Sequence, residues 1–144
     1  MPRLHGYTKK ALIELYTKMV TARRSDEKMM ILLRQGKAFF LTSCAGHEVA
    51  QLAAAQNIKP GVDWSYVYYR DAAFVLGLGT TSREHLLSFL AKKDDPDSGG
   101  RQFPYHFSRK DLRIVSPSSA TGMQYLHAVG AGLAIKWEKS RDRK

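Results

Sequence analysis

Asp63-Trp64-Ser65-Tyr66-Val67-Tyr68-Tyr69-Arg70-Asp71 decides how this chain is built. Aromatic and β-branched residues fill it as far as Tyr69, so it reads as a strand or extended segment. The alanines and leucines from Ala72 to Leu78 follow as a short buried helix that stops at Gly79. A strand running into a helix is an α/β pattern, and ligands in open α/β sheets sit outside the carboxyl ends of the strands. Tyr69 and Arg70 stand at that end. An arginine there can present a planar fork to phosphate oxygens, and the tyrosine adds a hydroxyl. An Arg70–Asp71 surface pair above a packed Tyr69 is the commoner explanation of such residues taken alone.

Toward the N-terminus, residues 8–36 read as a long helix. Thr8 is its N-cap, Leu12, Leu15, Tyr16, Met19 and Val20 set the apolar spacing, Met29, Met30, Leu32 and Leu33 resume it, and Gly36 stops it. Residues 38–45 connect to a second helix from Gly46 to Asn57, with Val49, Leu52, Ala53 and Ala54 expected inward. Lys59-Pro60-Gly61 is a turn. Toward the C-terminus, Ser82 opens a helix carrying Leu86, Leu87, Phe89 and Leu90, residues 94–100 form a loop, and residues 113–115 a brief extended piece. Residues 122–139 make the last helix, whose Ala128, Gly130, Ala131, Gly132 and Ala134 predict close approach to a neighbour.

The length, 144 residues, suits one domain with a real core. No apolar stretch approaches the ~20 residues of a membrane helix, and Met1-Pro2-Arg3-Leu4-His5 lacks the apolar core of a secretory signal. With a single cysteine, Cys44, there is no internal disulfide, which fits a reducing compartment, and the chain is read as cytoplasmic. The net charge of +10 is dispersed over Lys9-Lys10, Arg23-Arg24, Lys92-Lys93, Arg109-Lys110 and the terminal residues, so solvated faces explain it better than a nucleic-acid groove.

A second motif is Ser116-Pro117-Ser118-Ser119-Ala120-Thr121-Gly122, a hydroxyl-rich turn opening the last helix. Ser118, Ser119 and Thr121, with Gln124 one turn in, can meet an anion, a ring amide or a cation, or simply cap the helix. Gly46-His47-Glu48 suggests a relay or metal ligand, but neighbouring helix residues diverge, so His47 is read as structural or as part of an entrance. His5 and His85 read as surface residues. Gly99-Gly100-Arg101-Gln102 lacks the lysine and spacing of a P-loop. It reads as an active-site loop that presents His106, which either touches substrate or packs. Cys44 has no triad partners and is not read as a nucleophile.

In this order the segments resemble the α subunit, or α half, of the thiamine diphosphate-dependent decarboxylating component of 2-oxo acid dehydrogenases. The resemblance covers nearly the whole chain. It is closest to the branched-chain (2-oxoisovalerate) type, because Gly-Arg-Gln-x-Pro-x-His at Gly100 to His106 is typical of that branch. It implies the front part of a helix-rich, transketolase-like three-layer α/β domain, with residues 1–36 as an N-terminal helical arm and residues 37–144 as an incomplete thiamine diphosphate-binding domain. It implies that Tyr69 and Arg70 contact the cofactor diphosphate, that Ser119 and Thr121 contact its aminopyrimidine ring, and that Ser118 and Gln124 occupy potassium-ligand positions. The chain departs from the pattern at Ala120, where proline is common, and at Met123, where a threonine often binds potassium; methionine sulfur is a poor partner for a hard cation.

The resemblance also implies a magnesium ion held by a Gly-Asp-Gly stretch and a following asparagine, which the 144 residues do not contain. A ring-activating glutamate would come from a β subunit or fused β half. The expected reaction is decarboxylation of a branched-chain 2-oxo acid and passage of the acyl group to a lipoyl-bearing acyltransferase, with this fragment inactive alone. An acetoin or pyruvate dehydrogenase component is one alternative. A basic, non-catalytic nucleic-acid-binding module is the other.

Overall fold

The computed structural model describes residues 6–141. The elements are α1 (Lys9–Arg34), α2 (Glu48–Ala55), β1 (Ser65–Tyr66), α3 (Ala72–Leu78), α4 (Ser82–Phe89), β2 (Ile114–Val115) and α5 (Met123–Arg141). The chain is thus helix-rich, with one small sheet in which β1 and β2 run parallel, Ser65 opposite Ile114 and Tyr66 opposite Val115. A parallel pair needs a long crossover, and α3, α4 and the loop after them supply it.

Thr8 caps α1 as its sequence predicts, its Oγ1 accepting from the Ala11 amide at 3.2 Å. The core gathers Met29 of α1, Leu52 and Ala55 of α2, Val75 and Leu78 of α3, Phe89 of α4, and Val67, Tyr105, Phe107 and Ile114 between them. The α2 expectation is corrected: Leu52 is buried, but Val49, Ala53 and Ala54 face outward, and Glu48 and Ala55 take the inner positions. The reason is an ion pair. Arg23 of α1 donates from Nε to Glu48 Oε1 at 2.6 Å and from the guanidinium end to Oε2 at 3.1 Å. That pair turns the Glu48 side of α2 toward α1.

The connection between α1 and α2 is tied down by Asp26, a buried carboxylate that accepts from the Ser43 hydroxyl at 2.7 Å and the Cys44 amide at 2.9 Å. Cys44 itself is buried, and desolvation pushes its thiol up to about 12. The α4 helix starts with a capping box, Thr81 accepting from the Glu84 amide while the Glu84 carboxylate accepts from the Thr81 amide. The same carboxylate takes Arg109 at 2.8 Å, joining α4 to the turn before β2.

His85 is not a surface residue. It is 4% exposed, its Nε2 lies 2.8 Å from Thr80 Oγ1, and the rings of Tyr105 and Phe107 pack around it. His5, the other histidine read as a surface residue, lies outside the described residues. The α5 helix leans on β1 and is otherwise exposed along its length, and a Cβ added at Gly130 or Gly132 meets nothing within 4 Å. The neighbour that its small residues predict is not among the described residues. No described helix is long and apolar enough to cross a membrane.

Candidate functional site

Ladder pairing ends at Tyr66, earlier than the sequence suggests, and Tyr69 and Arg70 are the two central residues of a β-turn. The Asp71 amide donates to the Tyr68 carbonyl at 2.9 Å, and the Tyr68 amide donates to Asp71 Oδ2 at 2.8 Å. The turn is therefore closed from both ends, with Tyr69 packed against the core and Arg70 half-buried beside it. Burial raises the Asp71 carboxyl above the usual range, against the pull of the Tyr68 amide. The Arg70 guanidinium lies 5.5 Å from the centre of the Tyr69 ring. Among the described residues no carboxylate ion-pairs with it, whereas Arg23, Arg24 and Arg109 are all paired. A half-buried cation without an anion is suited to receive one.

Tyr69, Arg70, His106 and Ser119 line one cavity of about 540 Å³, with Phe40, Thr42, Phe103 and Pro104 completing the wall. The fold brings together segments about fifty residues apart in sequence. His106 reaches the cavity through its backbone. Tyr105 adopts a left-handed φ of 64° and is buried on one side of it, with Phe107 buried on the other. An aromatic residue leaves the usual region only where packing compels it, and here the two anchored rings leave His106 projecting. Its Nδ1 is 3.2 Å from the Pro104 carbonyl, an acceptor only, so Nδ1 carries the hydrogen. In the tautomer with the hydrogen on Nδ1 alone, Nε2 accepts from Ser119 Oγ at 2.6 Å. The imidazole also stacks on Tyr69, with centroids 6.1 Å apart and planes 14° from parallel. Phe40 and Phe103 meet edge to face at 5.6 Å, giving the cavity an apolar side.

The remaining predicted residues do not line this cavity. Thr121 is exposed next to Tyr68, whose phenol is drawn below its usual value by the Tyr69 hydroxyl first, then by Thr121 and the Arg70 charge. Ser118 accepts from the Ala120 amide at 3.1 Å, tightening its own turn. Gln124 is half-buried in the first turn of α5. His47 is exposed, and Glu48 is taken by Arg23 and by the Gly46 amide at 2.9 Å, so the pair does not act as one ligand set. Among the described residues no three His, Cys, Asp or Glu side chains gather as a metal site.

Two features of the site escape a linear reading. Phe40 and Thr42 come from the connection after α1, whose only sequence signal is an apolar run. Gln51 bridges α2 to the turn: its Nε2 donates to the Arg70 carbonyl at 2.8 Å and to Asp71 Oδ1 at 3.1 Å, and its Oε1 accepts from the Ala73 amide at 3.2 Å.

Residues 16–143 match the family described as dehydrogenase E1 component. The chain belongs to that family. Among its relatives, the 2-oxoisovalerate dehydrogenase subunit alpha of Bacillus subtilis (strain 168) is 44% identical over 134 residues, 93% of this chain and 41% of that protein. The mitochondrial 2-oxoisovalerate dehydrogenase subunit alpha 2 of Arabidopsis thaliana is 29% identical, over 88% of this chain and 26% of its own length. The pyruvate dehydrogenase E1 component subunit alpha of Staphylococcus aureus (strain Mu50 / ATCC 700699) is 31% identical, over 90% of this chain and 32% of its own. The chain therefore spans well under half of the family members it matches.

Proposed function

We propose that this chain supplies the diphosphate-binding wall of a thiamine diphosphate-dependent 2-oxo acid dehydrogenase of the branched-chain type, within a three-layer domain. What supports the reading is a single observation: in a chain of this family, an arginine that ion-pairs with no carboxylate among the described residues sits on a closed β-turn and lines a cavity that His106 and Ser119 also line. The residues present fit the cofactor, since a guanidinium and a phenol hydroxyl are the donors a diphosphate needs. When bound, thiamine diphosphate supplies the electron sink for loss of carbon dioxide from a 2-oxo acid.

Arg70 and Tyr69 hold the diphosphate and take no part in proton transfer. Ser119, held by His106 at 2.6 Å, and Thr121 are the two contacts to the cofactor ring. His106, fixed through Nδ1, faces the substrate side. Phe40 and Phe103 make that side apolar, which favours an aliphatic 2-oxo acid. Ser118 and Gln124 offer two neutral oxygens beside a thioether at Met123, a weak set for a hard cation, so potassium is assigned no role. Magnesium ligands and the ring-activating glutamate come from outside these 144 residues, the latter from a β subunit or fused β half, and the acyl group passes to a lipoyl-bearing acyltransferase. On this reading the 144 residues alone are inactive, and the enzyme works in the cytoplasm.

The test is Arg70→Ala in the full-length α subunit assembled with its β partner. Loss of a charge-assisted contact weakens thiamine diphosphate binding about ten- to a hundredfold, read by calorimetric titration, while the ranking of 2-oxo acids stays as it was. Unchanged cofactor affinity overturns the assignment. The pyruvate-type reading, favoured by the Staphylococcus relative, is separated from the branched-chain one by comparing kcat/KM for 2-oxoisovalerate and pyruvate.

A further inference from the structure

Gln51 lies on α2, outside the cavity, yet its carboxamide meets three groups of the segment that carries Tyr69 and Arg70. The orientation of the amide is determined by its partners. The Arg70 carbonyl and the Asp71 carboxylate need donors, and the Ala73 amide needs an acceptor, so the nitrogen must face the first two and the oxygen the third. Both Nε2 hydrogens and one Oε1 lone pair are used. The result is a bridge from the last central residue of the β-turn to the first turn of α3, made by a side chain from a different helix.

That helix is itself held in rotation. Glu48 stands one turn before Gln51 on the same face, and its carboxylate is fixed to Arg23 of α1 and to the Gly46 amide. A chain of contacts therefore runs from α1 through Glu48 and Gln51 to the Arg70 carbonyl. The turn's own hydrogen bonds, between Tyr68 and Asp71, close it but do not set its angle to the rest of the fold. Only a contact from outside the turn can do that, and Gln51 provides one directed at the arginine's own peptide group.

We infer that Gln51 is a positioning residue for the diphosphate site: it orients the Tyr69–Arg70 turn so that the guanidinium faces the cavity, and it does so without touching the ligand. This rests on the diphosphate role of Arg70 proposed above. A misplacement of the guanidinium by a fraction of a bond length weakens a forked contact strongly, because both hydrogen bonds depend on the same plane.

The experiment uses the full-length α subunit with its β partner, and the probes are thiamine diphosphate and inorganic pyrophosphate. Gln51→Leu removes both donors and the acceptor while keeping the bulk. It raises the Kd for thiamine diphosphate about tenfold and raises the inhibition constant of pyrophosphate by the same factor. The kcat at saturating cofactor and the KM for the 2-oxo acid stay within about twofold, because ligand-free parts of the site are unmoved. Gln51→Glu keeps the acceptor for Ala73 but sets a carboxylate against the Arg70 carbonyl and the Asp71 carboxylate, with His47 the remaining titratable neighbour. Its affinity for pyrophosphate is poor at neutral pH and recovers relative to wild type as the pH falls and the new carboxyl regains a hydrogen to donate. A general loosening of the fold gives no such recovery and lowers kcat as well. If Gln51→Leu fails to assemble, the pH profile of Gln51→Glu decides alone.

An unchanged pyrophosphate constant in the Gln51 variants, alongside a weakened one in Arg70→Ala, overturns the inference and leaves the proposed function standing. An unchanged constant in Arg70→Ala overturns both.

Discussion

His85 and Asp97 pull the pH dependence of folding in opposite directions. Burial lowers the His85 imidazole from 6.5 to about 4, so below pH 6.5 the unfolded chain takes up a proton that the folded one refuses. Stability from this group is complete above about 6.5 and declines toward pH 4, by about 3 kcal/mol. Asp97, half-buried and accepting from the Ser108 amide at 3.1 Å, is raised to about 6, first by burial, with Asp95 and Glu84 adding and Arg109 opposing. Its charge burdens the fold above pH 6, and the burden lifts as pH falls toward 3.8. Asp97→Asn keeps the acceptor for Ser108 and removes the charge. Urea denaturation should find this variant more stable at pH 7 by about 1 kcal/mol after allowance for solvent screening, with no difference at pH 4, so that the decline due to His85 stands uncovered. Equal stabilisation at both pH values would contradict the assignment. The sequence hides His85 because Ser82, Arg83 and Glu84 before it look like a solvated helix start. The available signal was spacing, for His85 precedes Phe89 by one turn and so shares its inward face. Tyr69, Arg70, Ser119 and His106 were legible as separate letters, but their meeting depends on the left-handed backbone at Tyr105, which no local pattern announces.

At the scale of elements, α4 and the α2–α3 contact set the frame around the site. Thr81→Ala deletes one half of the capping box and should cost about 1 kcal/mol, measured as a lower urea midpoint with an unchanged slope. The α2–α3 contact is closer than two ordinary helices allow. A Cβ on Gly77 would stand 2.5 Å from Ala55 Cβ and 3.2 Å from Leu52 Cδ2. Gly77→Ala therefore forces α3 off α2 and should destabilise by about 1–3 kcal/mol. A thermal midpoint equal to wild type would show that the helices have room. Because Gln51 spans the same two helices, this variant should also weaken thiamine diphosphate binding in the assembled enzyme, whereas Thr81→Ala should not. The helix positions were readable from apolar spacing and turn residues at nearly every boundary. The orientation of α2 was not, since in an alanine-rich helix hydrophobicity hardly distinguishes the faces, and a charged residue, Glu48, turned out to point inward to Arg23.

For the whole molecule, the uncovered surface is concentrated on α5, where Tyr125, Leu126, Val129 and Trp137 are each more than 60% exposed. Apolar area of that extent on one helix favours association. The 144-residue chain by itself should sediment as concentration-dependent oligomers, and Leu126→Lys with Val129→Lys should return it toward a monomer. A monomeric wild-type chain across a dilution series would refute this. The two extended segments that form β1 and β2 were readable in the sequence, but their parallel pairing was not, since Ser65 and Ile114 lie about fifty residues apart. What covers α5 could not be read, since small residues announce that a neighbour comes close without saying which. Cys44 gives the molecule a built-in clock. Its thiol lies under the same packing that holds the Asp26 carboxylate, and at neutral pH it stays protonated. An alkylating reagent meets a reactive sulfur only when α1, α2 and the Tyr69 turn part from one another. With one cysteine in the whole sequence, the rate of labelling counts those openings directly, so cofactor that braces the turn should slow the clock without touching the sulfur.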